Sequence, residues 1–167
     1  CLMGNDFRRD NSFRIPRPDQ SLTYNTPNAC TLCHTDKTDQ WAWNNFKKDW
    51  GTPNHAHFSE KLAPGITGVA GADIGLLELA NNHLQPEIAR ASAVKAMANY
   101  NVQNNINAYI ALLNDNAPMV RGATLDVLGE VNSMDFMADI LPLLNDPKRA
   151  NRVKAFYALG VVPEYQI

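Results

Sequence analysis

Leu112-Leu113-Asn114-Asp115-Asn116-Ala117-Pro118-Met119-Val120-Arg121 returns as Leu143-Leu144-Asn145-Asp146-Pro147-Lys148-Arg149-Ala150-Asn151-Arg152, and Arg90 stands the same 31 residues ahead of Arg121. Aligning the three arginines superimposes Val94, Leu125 and Phe156, then Ala96, Val127 and Ala158, then Met97, Leu128 and Leu159, then Ala98, Gly129 and Gly160. A period of this length marks a repeat array. Each unit reads as two helices joined by a short polar turn. The leucines fill the seam between stacked pairs, and the small residues at 98, 129 and 160 let neighbouring helices approach closely. No such unit buries its apolar face alone, so neighbours must stack. The predicted fold class is therefore all-α, with a short α-solenoid over residues 65–167. Arg90, Arg121 and Arg152 read as structural, bonding turn carbonyls or the carboxylates of Asp115 and Asp146. Met97, Met119, Met134 and Met137 fall on helical seams as core filler, and His83 reads as a surface or capping residue.

Upstream of the repeats, Gly65 to Gly71 form a glycine-rich hinge, which divides the chain into domains 1–64 and 65–167. Before it, Trp41, Trp43, Phe46 and Trp50 recur among polar residues and stop at Gly51, which predicts a helix over 39–50. Residues 1–37 show no sustained period and read as an extended, loop-rich segment.

Composition narrows the function classes. With 45% hydrophobic residues the chain supports a real core. A net charge of −2 and a pI near 6.1 provide no basic field for nucleic acid or an anionic membrane. No stretch reaches the roughly 18 to 20 apolar residues of a membrane span. Cys1 reads as a fragment end in preference to the acylated residue of a lipoprotein, because Leu2 to Phe7 lack the Gly/Ser character of a tether.

The remaining cysteines lie in one motif, Cys30-Thr31-Leu32-Cys33-His34. CxxCH is the attachment signature of haem c: two thiols form thioethers with the vinyl groups, and the adjoining imidazole ligates the iron. A thioredoxin-like dithiol would want a core strand before the CxxC, whereas Tyr24-Asn25-Thr26-Pro27-Asn28-Ala29 is rich in turn residues. A zinc site could use Cys30, Cys33, His34 and one more ligand such as Cys1, but no second CxxC or HxxxH exists. The reading is one covalent haem on Cys30 and Cys33 with His34 on the iron. His57 is first choice for the second axial ligand, His55 second, and Met3 an outside choice. Arg14 and Arg17, with Arg8 and Arg9, are candidates for the haem propionates, although Asp6, Asp10 and Asp19 could neutralise them instead. The four aromatics of 41–50 either wall the porphyrin or pack their helix onto the repeats. The alternative function is a repeat-protein interaction scaffold whose CxxCH binds zinc or no metal.

The stretches Asn5-Asp6-Phe7-Arg8-Arg9-Asp10-Asn11-Ser12-Phe13-Arg14-Ile15-Pro16-Arg17-Pro18-Asp19 and Thr26-Pro27-Asn28-Ala29-Cys30-Thr31-Leu32-Cys33-His34-Thr35-Asp36-Lys37 resemble bacterial multihaem c-type cytochromes with a C-terminal HEAT or TPR-like helical region. Within the repeats, Pro118-Met119-Val120-Arg121 is similar to the HEAT pattern, from which Arg149-Ala150-Asn151 before Arg152 departs. The resemblance implies an electron-transfer domain rather than a catalyst, at least one further CxxCH upstream, and export to the periplasm or cell exterior of a bacterium. It also implies a redox partner protein, or the remaining haem domains, as the partner. Relatives tend to carry His where Asn11 stands, and the His57-Phe58 pair is similar to one in the family.

Overall fold

The computed structural model describes residues 2–3, 6–7, 16–54, 56–131 and 133–160. Apart from a two-residue antiparallel pairing of Leu2–Met3 with Asp6–Phe7, the described residues are all-α, in two compact units, Cys1–His55 and Ala56–Ile167.

The first unit holds α1 (Pro18–Tyr24), α2 (Ala29–Cys33) and α3 (Asp39–Trp50). Pro18 at the first position of α1 carries the φ a helix needs and gives up no helical hydrogen bond. The helix stops where Asn25 turns left-handed at φ 54°. The α3 helix covers the residues its sequence predicts. Thr38 caps it by accepting from the Trp41 N–H at 3.2 Å, and Gly51 closes it at φ 77°. The loop-rich expectation for residues 1–37 is corrected by α1 and α2, each too short to display a 3.6-residue period.

The second unit runs through α4 (Ser59–Ile66), α5 (Ala72–Asn81), α6 (Glu87–Met97), α7 (Ile106–Leu112), α8 (Pro118–Glu130), α9 (Met137–Ile140) and α10 (Arg149–Gly160). Helix α6 packs on α5 and α8, and α8 packs on α10. Leu76, Val94, Met97, Tyr109, Leu113, Val120, Leu125, Leu128 and Ile140 are among the large residues of one continuous core. The element before α10 is broken. Tight 3₁₀ turns at Ser133–Phe136 and Leu141–Asn145 flank the four-residue α9, because Pro142 cannot continue an α-helix from within. Met119, expected in a seam, is 46% exposed. Gly65 also departs from its expected hinge role. It lies buried inside α4, where a Cβ would sit 2.5 Å from Leu76 Cγ, so its missing side chain lets α4 close on α5. Gly68 and Gly71, at φ 73° and 78°, make the turn that follows.

Two arginines tie successive helices of the second unit to the turns that follow. Arg90 donates to Asp115 and, through Nε, to the Ala80 carbonyl at 2.8 Å. Arg121 forks onto Asp146 at 2.7 and 3.1 Å, while its Nη1 donates to the carbonyls of Asp115 and Asn116. Both expected kinds of partner, turn carbonyl and carboxylate, are thus used by one side chain. The Arg121 guanidinium and the N–H groups of Lys148 and Asn151 hold the Asp146 carboxyl down at about 2, against the opposing effect of burial.

Candidate functional site

The CxxCH motif is built on α2. Asn28, itself buried, caps that helix: its Oδ1 accepts from the Thr31 N–H at 3.1 Å. Its amide nitrogen donates to Ser21 Oγ at 3.0 Å and to Asp39 Oδ1 at 2.7 Å, and Thr31 Oγ1 reaches the same carboxylate at 3.3 Å. The helix is thereby fastened to α1 and α3 through its polar inner side. Sequence reading passed over Asn28 and Asp39. The signal for the first was available, since Asn is among the best N-cap residues and stands three before Thr31.

The opposite side of α2 is open. Cys33 is exposed and Cys30 half-buried, both as free thiols, and a spacing of three on a helix brings side chains to one face about 5 to 6 Å apart at Cβ. Leu32, between them, is 70% exposed. His34 ends the helix, its N–H donating to the Cys30 carbonyl at 2.8 Å. Its exposed imidazole lies 5.0 Å from the Trp41 ring at a tilt of 56°. Two thiols on one face, an apolar side chain beside them and an imidazole at the helix end fit a haem held by two thioethers and one axial histidine. Among the described residues no three His, Cys, Asp or Glu side chains converge to hold a metal ion. Thioether attachment asks for no such convergence, because the sulfurs bond carbon.

Along α3, Trp43 stacks on Phe46 at 6.2 Å with Lys47 over the Trp43 ring, and Phe46 meets Trp50 at 5.6 Å. Trp50 is 75% exposed. Arg17 pairs with Asp19, its Nε and Nη2 donating at 2.9 and 2.7 Å, and that guanidinium holds the Asp19 carboxyl below the usual carboxylate range. A propionate at Arg17 would compete with this carboxylate.

In the second unit, His57 Nδ1 lies 2.8 Å from Ser59 Oγ and accepts from the Ser59 N–H at 3.2 Å, with the Phe58 ring at 4.1 Å. Iron ligation through Nε2 needs the proton on Nδ1, which would then confront the Ser59 N–H donor. This turn must therefore open for His57 to ligate in that way. Cys1, Arg8, Arg9, Asn11, Arg14 and His55 lie outside the described residues.

No described helix is long and apolar enough to cross a membrane. Compared with protein-family models, with curated proteins and with solved structures, the chain finds no match.

Proposed function

We propose that this chain is a c-type cytochrome domain that carries one covalent haem in one-electron transfer, as part of a larger multihaem protein exported to the periplasm or exterior of a bacterium. The observation that supports it is the two-sided build of α2: a polar side fastened by Asn28 and Asp39, and an open side bearing Cys30, Leu32 and Cys33, with His34 at its end. The haem, when bound, supplies a metal centre that stores and passes on single electrons. Cys30 and Cys33 would hold it through thioether bonds, and the His34 imidazole would supply a nitrogen to the iron. Trp41 lies 5.0 Å from that imidazole, and on α3 the half-buried Trp43 and Phe46 with the exposed Trp50 offer an apolar wall that would keep water from a porphyrin edge. The Arg/Asp ladder supports reading α5 to α10 as HEAT-like pairs of an α-solenoid, a docking surface for the redox partner or the remaining haem domains.

Expression of the full chain with export and haem-maturation machinery tests the proposal. The expected product keeps its haem after denaturation and gives a pyridine haemochrome of the two-thioether type. Cys30→Ala should shift that spectrum to the one-thioether type, and the double variant with Cys33→Ala should abolish attachment. A chain that emerges from this system without covalent haem overturns the reading.

The second axial ligand is first assigned to His57, with His55 as second choice. His57→Ala should convert the ferric haem from low to high spin and let carbon monoxide bind the reduced form. An unchanged low-spin spectrum would pass the assignment to His55 or another group.

A further inference from the structure

Among the described residues Arg152 repeats only half of the contacts that Arg121 makes. In the internal rungs, Arg90 takes Asp115 and Arg121 takes Asp146, each carboxylate 25 residues downstream on the turn of the next pair. Arg152 is held like Arg121: its Nη1 donates to the carbonyls of Asp146 and Pro147 at 2.8 and 3.4 Å, as Arg121 Nη1 does to Asp115 and Asn116. On Arg121 the remaining Nε and Nη2 grip Asp146. On Arg152 those two nitrogens meet no carboxylate among the described residues.

The helix face beside it tells the same story. On α8, Gly122 and Gly129 form the surface that α10 covers: a Cβ on Gly122 would strike Asn151 Oδ1 at 2.7 Å, and one on Gly129 would press on Ala158 at 3.3 Å. Asp126 on that surface pairs with Lys154 at 2.7 Å. One period later the same surface of α10 consists of Val153, Tyr157 and Gly160. Tyr157 is 68% exposed, and nothing lies within 4 Å of a Cβ at Gly160. Phe156 is 66% exposed, whereas its equivalents Val94 and Leu125 are fully buried.

We propose that the outer face of α10 is a docking site for a further helical pair on another polypeptide segment, one that presents an aspartate on its connecting turn to Arg152 and an apolar helix to Phe156 and Tyr157. The charge complement is a single carboxylate received in a fork already oriented by the Nη1 contacts, which makes recognition specific to a turn of this type. A second copy of this chain does not supply it, because its two aspartate turns already serve Arg90 and Arg121.

The test keeps the full chain and appends a copy of residues 137–160 after Ile167. Residues 161–167 stand in the register of 130–136, so the copied aspartate falls 25 residues beyond Arg152. The extended chain should melt at higher temperature, and the α10 backbone amides should gain at least tenfold protection from hydrogen exchange. Arg152→Gln, compared with and without the extension so that the loss of its own turn contacts cancels, should erase both gains, and Phe156→Ser with Tyr157→Ser should do the same. An extension that brings no protection, or protection indifferent to Arg152, overturns the proposal. Sedimentation of the parent chain is the second measurement. A dimer dissolved by Phe156→Ser would make a second copy the occupant and would equally overturn it.

Discussion

Asp146 draws more of the second unit together than any other single carboxylate, because one side chain receives Arg121 at two atoms, the Lys148 N–H at 2.7 Å and the Asn151 amide at 3.3 Å. Its carboxyl sits at about 2 against an ordinary 3.8, so the folded state binds this proton more weakly than the unfolded one. The resulting stabilisation, about 2 kcal/mol by linkage, is complete above the unfolded value and drains away as pH falls from about 4 to about 2. Asp146→Asn should lower stability at neutral pH by roughly 3 kcal/mol, since Arg121 keeps its charge but loses its counter-ion. It should also flatten the acid limb of a urea-melt series run between pH 2 and 5. An acid limb identical to the parent's would show that other carboxylates control this transition. Tyr109 presents the opposite case. Fully buried, with its hydroxyl unpartnered and its pKa pushed up to about 12 by burial, it carries a polar atom the core does not use. Tyr109→Phe removes that atom and should stabilise the chain by about 1 kcal/mol. A drop of that size in chemical denaturation would mean that the hydroxyl has a partner after all.

Among the elements, α2 is the one whose formation depends most on a single residue. A helix of five residues has almost no stability of its own, and Asn28 supplies both its cap and its tie to Asp39. Asn28→Ala should cost about 1 to 2 kcal/mol in the first unit and reduce covalent haem yield even though Cys30, Cys33 and His34 are intact, whereas Asn28→Asp keeps the cap and should retain more of it. Equal yields from both variants would mean that attachment does not require a preformed α2. This dependence also explains what could be read from sequence. Helices α3, α6, α8 and α10 are long enough to show an apolar period or a repeat, and the arginines that mark the repeat bond the turn carbonyls and carboxylates their positions suggest. What stayed hidden was short or non-local. Helices α1 and α2 span two turns or fewer, and α9 is interrupted by the effect of Pro142. Gly65 owes its role to Leu76, eleven residues away on another helix, and not to its own backbone freedom. The bond from Arg90 on α6 reaches Asp115 on the turn before α8, and spacing alone does not say whether each arginine serves its own turn or the next. At the candidate site the three motif residues were legible because their chemistry is local, while the support from Asn28 and Asp39 appears only once three helices are folded together.

For the whole molecule, the distribution of buried residues predicts two stabilities in one chain. The continuous core draws its members from Phe58 to Leu159, all in the second unit. In the first unit the buried described residues are Pro18, Ser21, Asn28 and Ala42, two of them polar. Among the described residues so small an apolar interior gives little to set against the conformational entropy of ordering the chain, and the proposed haem would add apolar surface and two covalent ties. The sequence supplies a separate probe for each unit. Trp41, Trp43 and Trp50, the only tryptophans, lie in the first unit, while most of the helical signal comes from the second. In the chain matured without haem, tryptophan emission should be red-shifted and should lose its structure at lower temperature than the far-UV circular dichroism signal. After haem attachment the emission should be quenched, and its transition should move up towards that of the helices. Residues 56–167 produced alone should melt cooperatively at the temperature of the second transition. Coincident transitions in the haem-free chain would show that the first unit is stable without the cofactor, and would remove the energetic reason for a haem to complete it.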